Sequence, residues 1–272
     1  MNDPVPMPAW PRYVLTGVWV GLVVLTVALT LLFGVAFRDA FTVSVLFLGL
    51  PGIALVQVPA LRGVTIERIP AYLSSIGTLV LIGALSMGVG AWGRGLEWMG
   101  WVPLPVGPML AWTAGLTAAG LGIVLVFRGL GLRFGWEEHR ILRDLIPRTR
   151  REKRVFFGLS LAAGWGEEAA YRGYAIPLLT PWLGPWGAAV FTSLVFGAMH
   201  VYQGVIGIVR TALMGGVLAW GFLASGSLLP AVAAHALIDV IAGIFLADRL
   251  MVPEGPSGVP EGPDAAPSSE TD

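Results

Sequence analysis

Several residue types are scarce or missing in this chain of 272 residues, and each gap excludes a class of protein. Cysteine is absent, which excludes disulfides, thiolate metal sites and a cysteine nucleophile. Charged residues make up only 12% of the chain, against roughly 25% in soluble domains. Lysine occurs once, as Lys153, and the net charge is zero, so no basic patch points to nucleic acid. The composition therefore predicts a membrane protein that binds no nucleic acid.

Apolar runs of the length that crosses a bilayer, about 20 residues, predict an all-α membrane protein with about eight transmembrane helices. The runs lie at 14–37, 41–61, 72–92, 106–127, 155–180, 185–202, 205–223 and 228–247. The first four contain no ionisable residue, so charged side chains inside the membrane are expected only in the last four. Pro51 is expected to kink the second span.

The chain divides by composition into three regions. Residues 1–154 are predicted to form an N-terminal four-helix membrane region with a basic cytoplasmic segment, in which 136–146 favours a short amphipathic helix. Residues 155–250 are predicted to form a second four-helix core that carries the polar residues. Residues 251–272, rich in proline, glycine, serine and acids, predict a disordered tail.

The distribution of basic residues predicts the orientation. Nine arginines and lysines fall in 128–154, and basic loops stay in the cytoplasm. Both termini are then cytoplasmic. The first apolar run is too long for a signal peptide and is interpreted as a retained transmembrane helix. The arginine- and glycine-rich composition favours a bacterial plasma membrane.

Ionisable residues in the last four spans are the candidates for chemistry, because a charge at the bilayer centre costs at least ~2.5 kcal/mol. Glu168 and Arg172 are one helical turn apart and are expected to pair. Glu167 is rotated by about 100° from Glu168 and has no local cation, which favours it as a general base.

Two further spans supply histidines. His235 and Asp239 lie one turn apart, so Asp239 is expected to accept a hydrogen bond from one His235 ring nitrogen and fix its tautomer. His200 ends the apolar run before them. Side chains from three helices are therefore expected to converge on one site.

Three strings in this half of the chain resemble the motifs of one known family. They are Glu-Glu-Ala-Ala-Tyr-Arg at 167–172, Phe196-xxx-His200 and His235-xxx-Asp239. They resemble the EExxxR, FxxxH and HxxxN/D motifs of the CPBP family (CAAX protease and bacteriocin-processing, also called ABI), which includes the eukaryotic CAAX prenyl endopeptidase. The three motifs occur in order, and the resemblance covers residues 155–247.

The resemblance implies a metal-independent intramembrane peptidase of the glutamic type. Glu167 would activate water and His200 would help to hold it, while His235 and Asp239 would stabilise the oxyanion. The remaining motif residues would support this site: Glu168 and Arg172. The implied partners are a membrane-associated peptide or protein substrate and the lipid bilayer.

Asp239 departs from the asparagine of the best-known family members. An asparagine donates a hydrogen bond to an oxyanion, whereas an ionised aspartate repels it. Two interpretations stay open: Asp239 is protonated in its apolar setting, or it acts indirectly by supporting His235 as the donor.

Other interpretations of the same residues also stay open. No cofactor is expected; two glutamates, two histidines and an aspartate could hold a divalent ion, but the zincin motif HExxH is absent, as is the serine-hydrolase motif GxSxG. A non-catalytic scaffold, immunity or partner-binding protein of the same family is one alternative function. A proton-coupled transporter is less favoured because no internal repeat is visible.

Overall fold

The computed structural model describes residues 10–60, 64–136 and 139–247, and within these ranges all regular structure is helical. The α-helices are α1 (Trp10–Phe33), α2 (Phe37–Ser44), α3 (Leu50–Ala60), α4 (Arg68–Ala91), α5 (Val106–Phe134), α6 (Arg140–Asp144), α7 (Arg150–Glu167), α8 (Ile176–Met199), α9 (Gly204–Ser225) and α10 (Leu229–Val240). Three π-helical segments continue them without a break: Val45–Gly49 joins α2 to α3, Glu168–Ala175 joins α7 to α8, and Ile241–Phe245 extends α10.

Six of the described helical stretches are long and apolar enough to cross a membrane. One of them, Arg150–Met199, has 50 residues, about 75 Å of helix at 1.5 Å per residue, which is far more than one bilayer requires. It is broken at Gly184, where φ is 66° and ψ is 165°, so it supplies two passes. With the shorter apolar helix Leu229–Phe245, the prediction of about eight spans in an all-α fold is confirmed.

The surface of these helices is apolar where a soluble protein would be polar. Seven aliphatic and aromatic side chains of the described residues are each more than 70% exposed: Tyr13, Leu31, Leu32, Trp92, Val106, Val205 and Phe245. Large exposed apolar surfaces of this kind mark a membrane interface. The protein is therefore an integral membrane protein.

Some helices begin or end outside the predicted apolar runs because polar capping residues set their boundaries. α7 begins at Arg150 rather than at 155 because Thr149 and Glu152 form a reciprocal capping box. The amphipathic helix expected at 136–146 is only the five residues of α6, with Ile141 buried. The predicted disordered tail, 251–272, lies outside the described residues.

The π-helical segment Val45–Gly49 lies just before Pro51, where the sequence predicted a kink. The Leu50 N–H donates to the carbonyl of Val45, five residues back. This wider turn just before the proline accommodates its missing N–H.

α7 is held between α4 and α10 by two glycines that flank Trp165. A side chain at Gly164 would lie 2.8 Å from the Val232 carbonyl of α10, and one at Gly166 would meet the Leu79 carbonyl of α4. Both backbones therefore approach α7 more closely than any larger residue would allow. This double contact fixes the position of Glu167, the next residue along the chain.

Candidate active site

The first motif lies where α7 changes into the π-helical segment Glu168–Ala175. Glu167 is the last residue of α7, and all eight residues of the segment are buried. A π-helical turn holds one more residue than an α-helical turn and is frequent at functional sites. The side chain of Glu167 keeps 12% exposure while that of Glu168 has none, so the two neighbouring carboxylates occupy different environments.

Glu168 and Arg172 form the predicted ion pair. Arg172 Nη1 donates to Glu168 Oε1 over 2.7 Å, and both side chains are completely buried. The guanidinium carbon also lies 4.4 Å from the centre of the Phe196 ring, which is close enough for a cation–π interaction. Gly215 of α9 provides the space, since a side chain there would meet Arg172 Nη2 at 2.8 Å.

His235 of α10 is hydrogen-bonded to Glu168. Its Nδ1 lies 2.8 Å from Glu168 Oε1, the oxygen that also accepts from Arg172. A carboxylate paired with arginine only accepts, so Nδ1 carries the proton. The expectation that Asp239 fixes this tautomer is wrong, because its Oδ2 is 3.8 Å from His235 Nε2, beyond hydrogen-bonding distance. His235 and Asp239 share one face of α10 because they are four residues apart, but the hydrogen bond of the His235 ring goes to Glu168, which lies outside α10.

The other nitrogen of His235 faces two carboxylates. Nε2 lies 3.5 Å from Glu167 Oε2 and 3.8 Å from Asp239 Oδ2. Glu167 therefore has an imidazole neighbour from α10 and not from its own helix. Side-chain exposure is 36% at Asp239, 12% at Glu167 and 10% at His235. The cluster therefore opens on the side of Asp239 and closes towards Glu168.

His200 joins this cluster through Phe196. Its Nδ1 lies 2.9 Å from the Phe196 carbonyl, which can only accept, so Nδ1 is protonated and Nε2 of the neutral ring is an acceptor. The His200 and Phe196 ring centres are 4.9 Å apart. The same Phe196 ring meets His235 edge-on at 6.2 Å. Both histidines of the motifs therefore contact one aromatic ring.

The structure thus brings five of the six predicted site residues close together and places the sixth, His200, beside them through Phe196. The site combines the partly exposed carboxylate of Glu167 with the imidazole of His235, which are groups that general acid–base chemistry uses. In the ranges described, no group of three or more His, Asp or Glu side chains is arranged to hold a metal ion. Metal independence itself stays a prediction that a chelator tests.

Tyr171 makes contacts in the site that the three motifs alone do not predict. It lies inside the first motif, is 1% exposed, and its hydroxyl donates to the Leu46 carbonyl over 3.2 Å. Its ring packs edge-on against Phe196 at 5.4 Å. The available signal was a tyrosine at an otherwise apolar position of a membrane helix, where a hydroxyl needs a partner.

A second buried polar cluster lies outside the motifs, at the start of α2. Asp39, 1% exposed, accepts two hydrogen bonds from Arg94, of 3.0 and 2.5 Å, and one of 3.0 Å from the Tyr174 hydroxyl. The hydrogen bonds to Asp39 raise the pKa of the Arg94 guanidinium in the loop after α4.

This cluster corrects the expectation that ionisable side chains inside the membrane occur only in the last four spans. Asp39 belongs to the second span, Phe37–Val58, which begins earlier than the apolar run. The available signal was an acid in the first turn of a helix, where the helix dipole stabilises it.

Comparison with known proteins gives one match. Residues 152–241 match the family model described as "Type II CAAX prenyl endopeptidase Rce1-like". The matched segment contains all three motifs, so the resemblance seen in the sequence is confirmed, although the match covers less than half of the 272 residues. No curated protein and no solved structure matches the chain.

Proposed function

We propose that this chain, whose residues 152–241 match the type II CAAX prenyl endopeptidase Rce1-like family model, is a glutamic-type intramembrane endopeptidase. It would hydrolyse a peptide bond of a membrane-associated substrate. The observation that supports the proposal most is the position of Glu167, 3.5 Å from His235 at the partly exposed edge of a buried polar cluster.

Glu167 is the general base of the proposed mechanism. Its carboxylate takes a proton from water while the water oxygen adds to the substrate carbonyl carbon, and the carbonyl π electrons move to oxygen. Nε2 of His200 is an acceptor, because Nδ1 donates to Phe196, and it would hold the second proton of the same water. A positioned base of this kind contributes typically 10²–10⁴-fold in rate.

His235 is the proposed oxyanion donor. With Nδ1–H bound to Glu168, a proton on Nε2 makes the ring an imidazolium, and its N–H points towards the side of Glu167. Arg172 holds the carboxylate of Glu168 in place, so the imidazolium lies beside a fixed negative charge. Glu167 then gives its proton to the amide nitrogen, the C–N bond breaks, and a new carboxyl group and a new amine leave.

Asp239 is assigned a supporting role. At 3.8 Å from His235 Nε2 its negative charge favours the imidazolium, which an asparagine would not do. The 36% exposure of Asp239 supports this interpretation over a direct contact with the oxyanion, because an ionised aspartate at the open edge would repel the oxyanion.

The test is hydrolysis by purified protein in lipid nanodiscs. The probes are a farnesylated peptide with a C-terminal CAAX sequence and a set of unmodified membrane-spanning peptides, and products are identified by mass spectrometry in H₂¹⁸O. The wild type is expected to place one ¹⁸O in the new carboxyl group. Glu167→Gln is expected to lose at least about 100-fold in kcat.

The matched control is Glu97→Gln, because Glu97 is an exposed residue of the loop after α4. It is expected to cleave like the wild type. If Glu167→Gln cleaves as fast as this control, the mechanism is wrong. If no probe is cut and a protein co-purifies with the wild type, the non-catalytic alternative replaces the proposal.

We also propose that both termini lie in the cytoplasm of a bacterial cell. The nine basic residues of 128–154 support this orientation. Because the chain has no cysteine, single cysteines report sidedness without background. In intact cells an impermeant maleimide is expected to label Ala224→Cys, and Arg148→Cys only after lysis. The reverse pattern would invert the topology.

A further inference from the structure

The carbonyl of Leu46 in the second span lacks both of its usual helical donors. The Leu50 N–H, four residues on, donates to Val45 instead. Residue 51 would be the donor in a π-helical turn, but it is proline and has no N–H. A free carbonyl inside a membrane costs free energy unless another group satisfies it.

Tyr171 supplies the missing hydrogen bond from the other half of the chain. Its hydroxyl lies 3.2 Å from the Leu46 carbonyl, and the group is buried. The same hydroxyl contacts the sulfur of Met199, the residue before His200. Tyr171 therefore connects the proline-containing turn of the second span, the π-helical segment and the end of α8.

The position of Tyr171 makes this connection relevant to the site. It lies between Glu168 and Arg172 on the same segment, and its ring packs on Phe196. A shift of the segment along its axis would move the carboxylate that orients His235. The hydroxyl opposes that shift because the Leu46 carbonyl belongs to a separate helix.

We propose that Tyr171 is a positioning residue for peptide hydrolysis, acting through its hydrogen bond to the carbonyl that Pro51 leaves free. The inference rests on the proposed function and extends it, since it makes the second span part of the machinery that aligns Glu167 and Glu168. The segment Glu168–Ala175 is buried, but a π-helix is less regular than an α-helix. A hydrogen bond from a separate helix would therefore fix the position of the segment along its axis.

The test is a double-mutant cycle in nanodiscs. Tyr171→Phe removes only the hydroxyl. Pro51→Ala provides an N–H that competes for the Leu46 carbonyl. Each single variant is expected to lower kcat between about tenfold and a hundredfold with KM unchanged. The kcat of the double variant is expected to be no lower than that of the less active single variant, because both changes break the same hydrogen bond.

A second measurement follows hydrogen exchange of the backbone amides of Glu168–Ala175. Exchange is expected to accelerate in both single variants. Tyr72→Phe is the matched control, since that hydroxyl also donates to a backbone carbonyl, of Leu145, over 2.6 Å, but away from the motifs. It is expected to leave kcat and the exchange of this segment unchanged.

The two measurements separate the two proposals. If the wild type cleaves no probe, the proposed function fails, and the exchange rates still decide whether Tyr171 anchors the segment. If the wild type cleaves and Tyr171→Phe keeps both its kcat and its exchange rates, the anchoring role is overturned. Additive losses in the double variant would also overturn it, because they would mean two independent effects.

Discussion

His235 donates its Nδ1 proton to Glu168, 2.8 Å away across a helix–helix interface, and not to Asp239 one turn along its own helix. The same Glu168 oxygen accepts from Arg172. Arginine, glutamate and histidine thus form a chain in which a permanent cation fixes a carboxylate and the carboxylate fixes an imidazole. These three hydrogen-bonded residues are therefore the ones that orient the His235 ring, and substituting them should have measurable consequences.

Glu168→Gln is expected to reduce kcat by about 100-fold or more with little change in KM, because a neutral amide no longer supports a charged His235. Loss of the carboxylate that orients a catalytic histidine costs as much in other hydrolases. The kcat of the variant is measured by steady-state kinetics in nanodiscs and is normalised to the fraction of folded protein. The fold-matched control is Glu97→Gln, and wild-type kcat in Glu168→Gln would remove Glu168 from the mechanism.

Asp239→Asn is expected to retain kcat within about tenfold, because an asparagine replaces the charge with a direct hydrogen-bond donor to the oxyanion. Asp239→Leu offers neither and is expected to lose more than the asparagine variant. Comparing kcat of the two variants separates the role of the charge from that of the hydrogen bond. Equal losses in both would show that only the charge of Asp239 matters.

Phe196→Leu is expected to lower both stability and kcat, because its ring contacts Arg172, His200 and His235. A desolvated cation–π contact contributes about 2 kcal/mol. Thermal unfolding in detergent and peptide cleavage give the two quantities. Phe157→Leu is the control, since Phe157 is 49% exposed and should tolerate the change. Similar losses in both variants would contradict a special role for Phe196.

Gly166→Ala is expected to destabilise the fold by about 1–3 kcal/mol, because its methyl group would meet the Leu79 carbonyl of α4. Gly77→Ala, on α4, has nothing within 4 Å of the added carbon and is expected to stabilise by up to about 1 kcal/mol. Thermal unfolding of the two variants should therefore give shifts of opposite sign. Shifts of the same sign would mean that α7 does not approach α4 so closely.

Treatment with a zinc-chelating agent is expected to leave cleavage unchanged, because in the proposed mechanism Glu167 and His200 activate the water without a metal ion. Activity is measured before and after incubation with o-phenanthroline, with its non-chelating isomer m-phenanthroline as the control. Complete loss that zinc restores would replace the metal-free mechanism with a metal-dependent one.

Spans and motifs were predictable because both depend on local properties. A run of about 20 apolar residues needs no partner to be recognised, and the Glu168–Arg172 pair follows from the spacing of one helical turn. The boundaries were less predictable, since the second span begins at Phe37 and includes Asp39. Asp39 is tolerated there because Arg94 and Tyr174 satisfy its carboxylate, and both are distant in the sequence.

The sequence by itself determined that this is an all-helical membrane protein and which residues are the candidates for its chemistry, because hydropathy and motif spacing are both properties of the linear sequence. Only the tertiary structure decided that His235 binds Glu168 rather than Asp239, and that Tyr171 reaches Leu46. The physical reason is that hydrogen bonds in a helical bundle are made by whichever group on a neighbouring helix comes within about 3 Å. Helix packing and the π-helical turns set those approaches, and spacing within one helix contains no information about them.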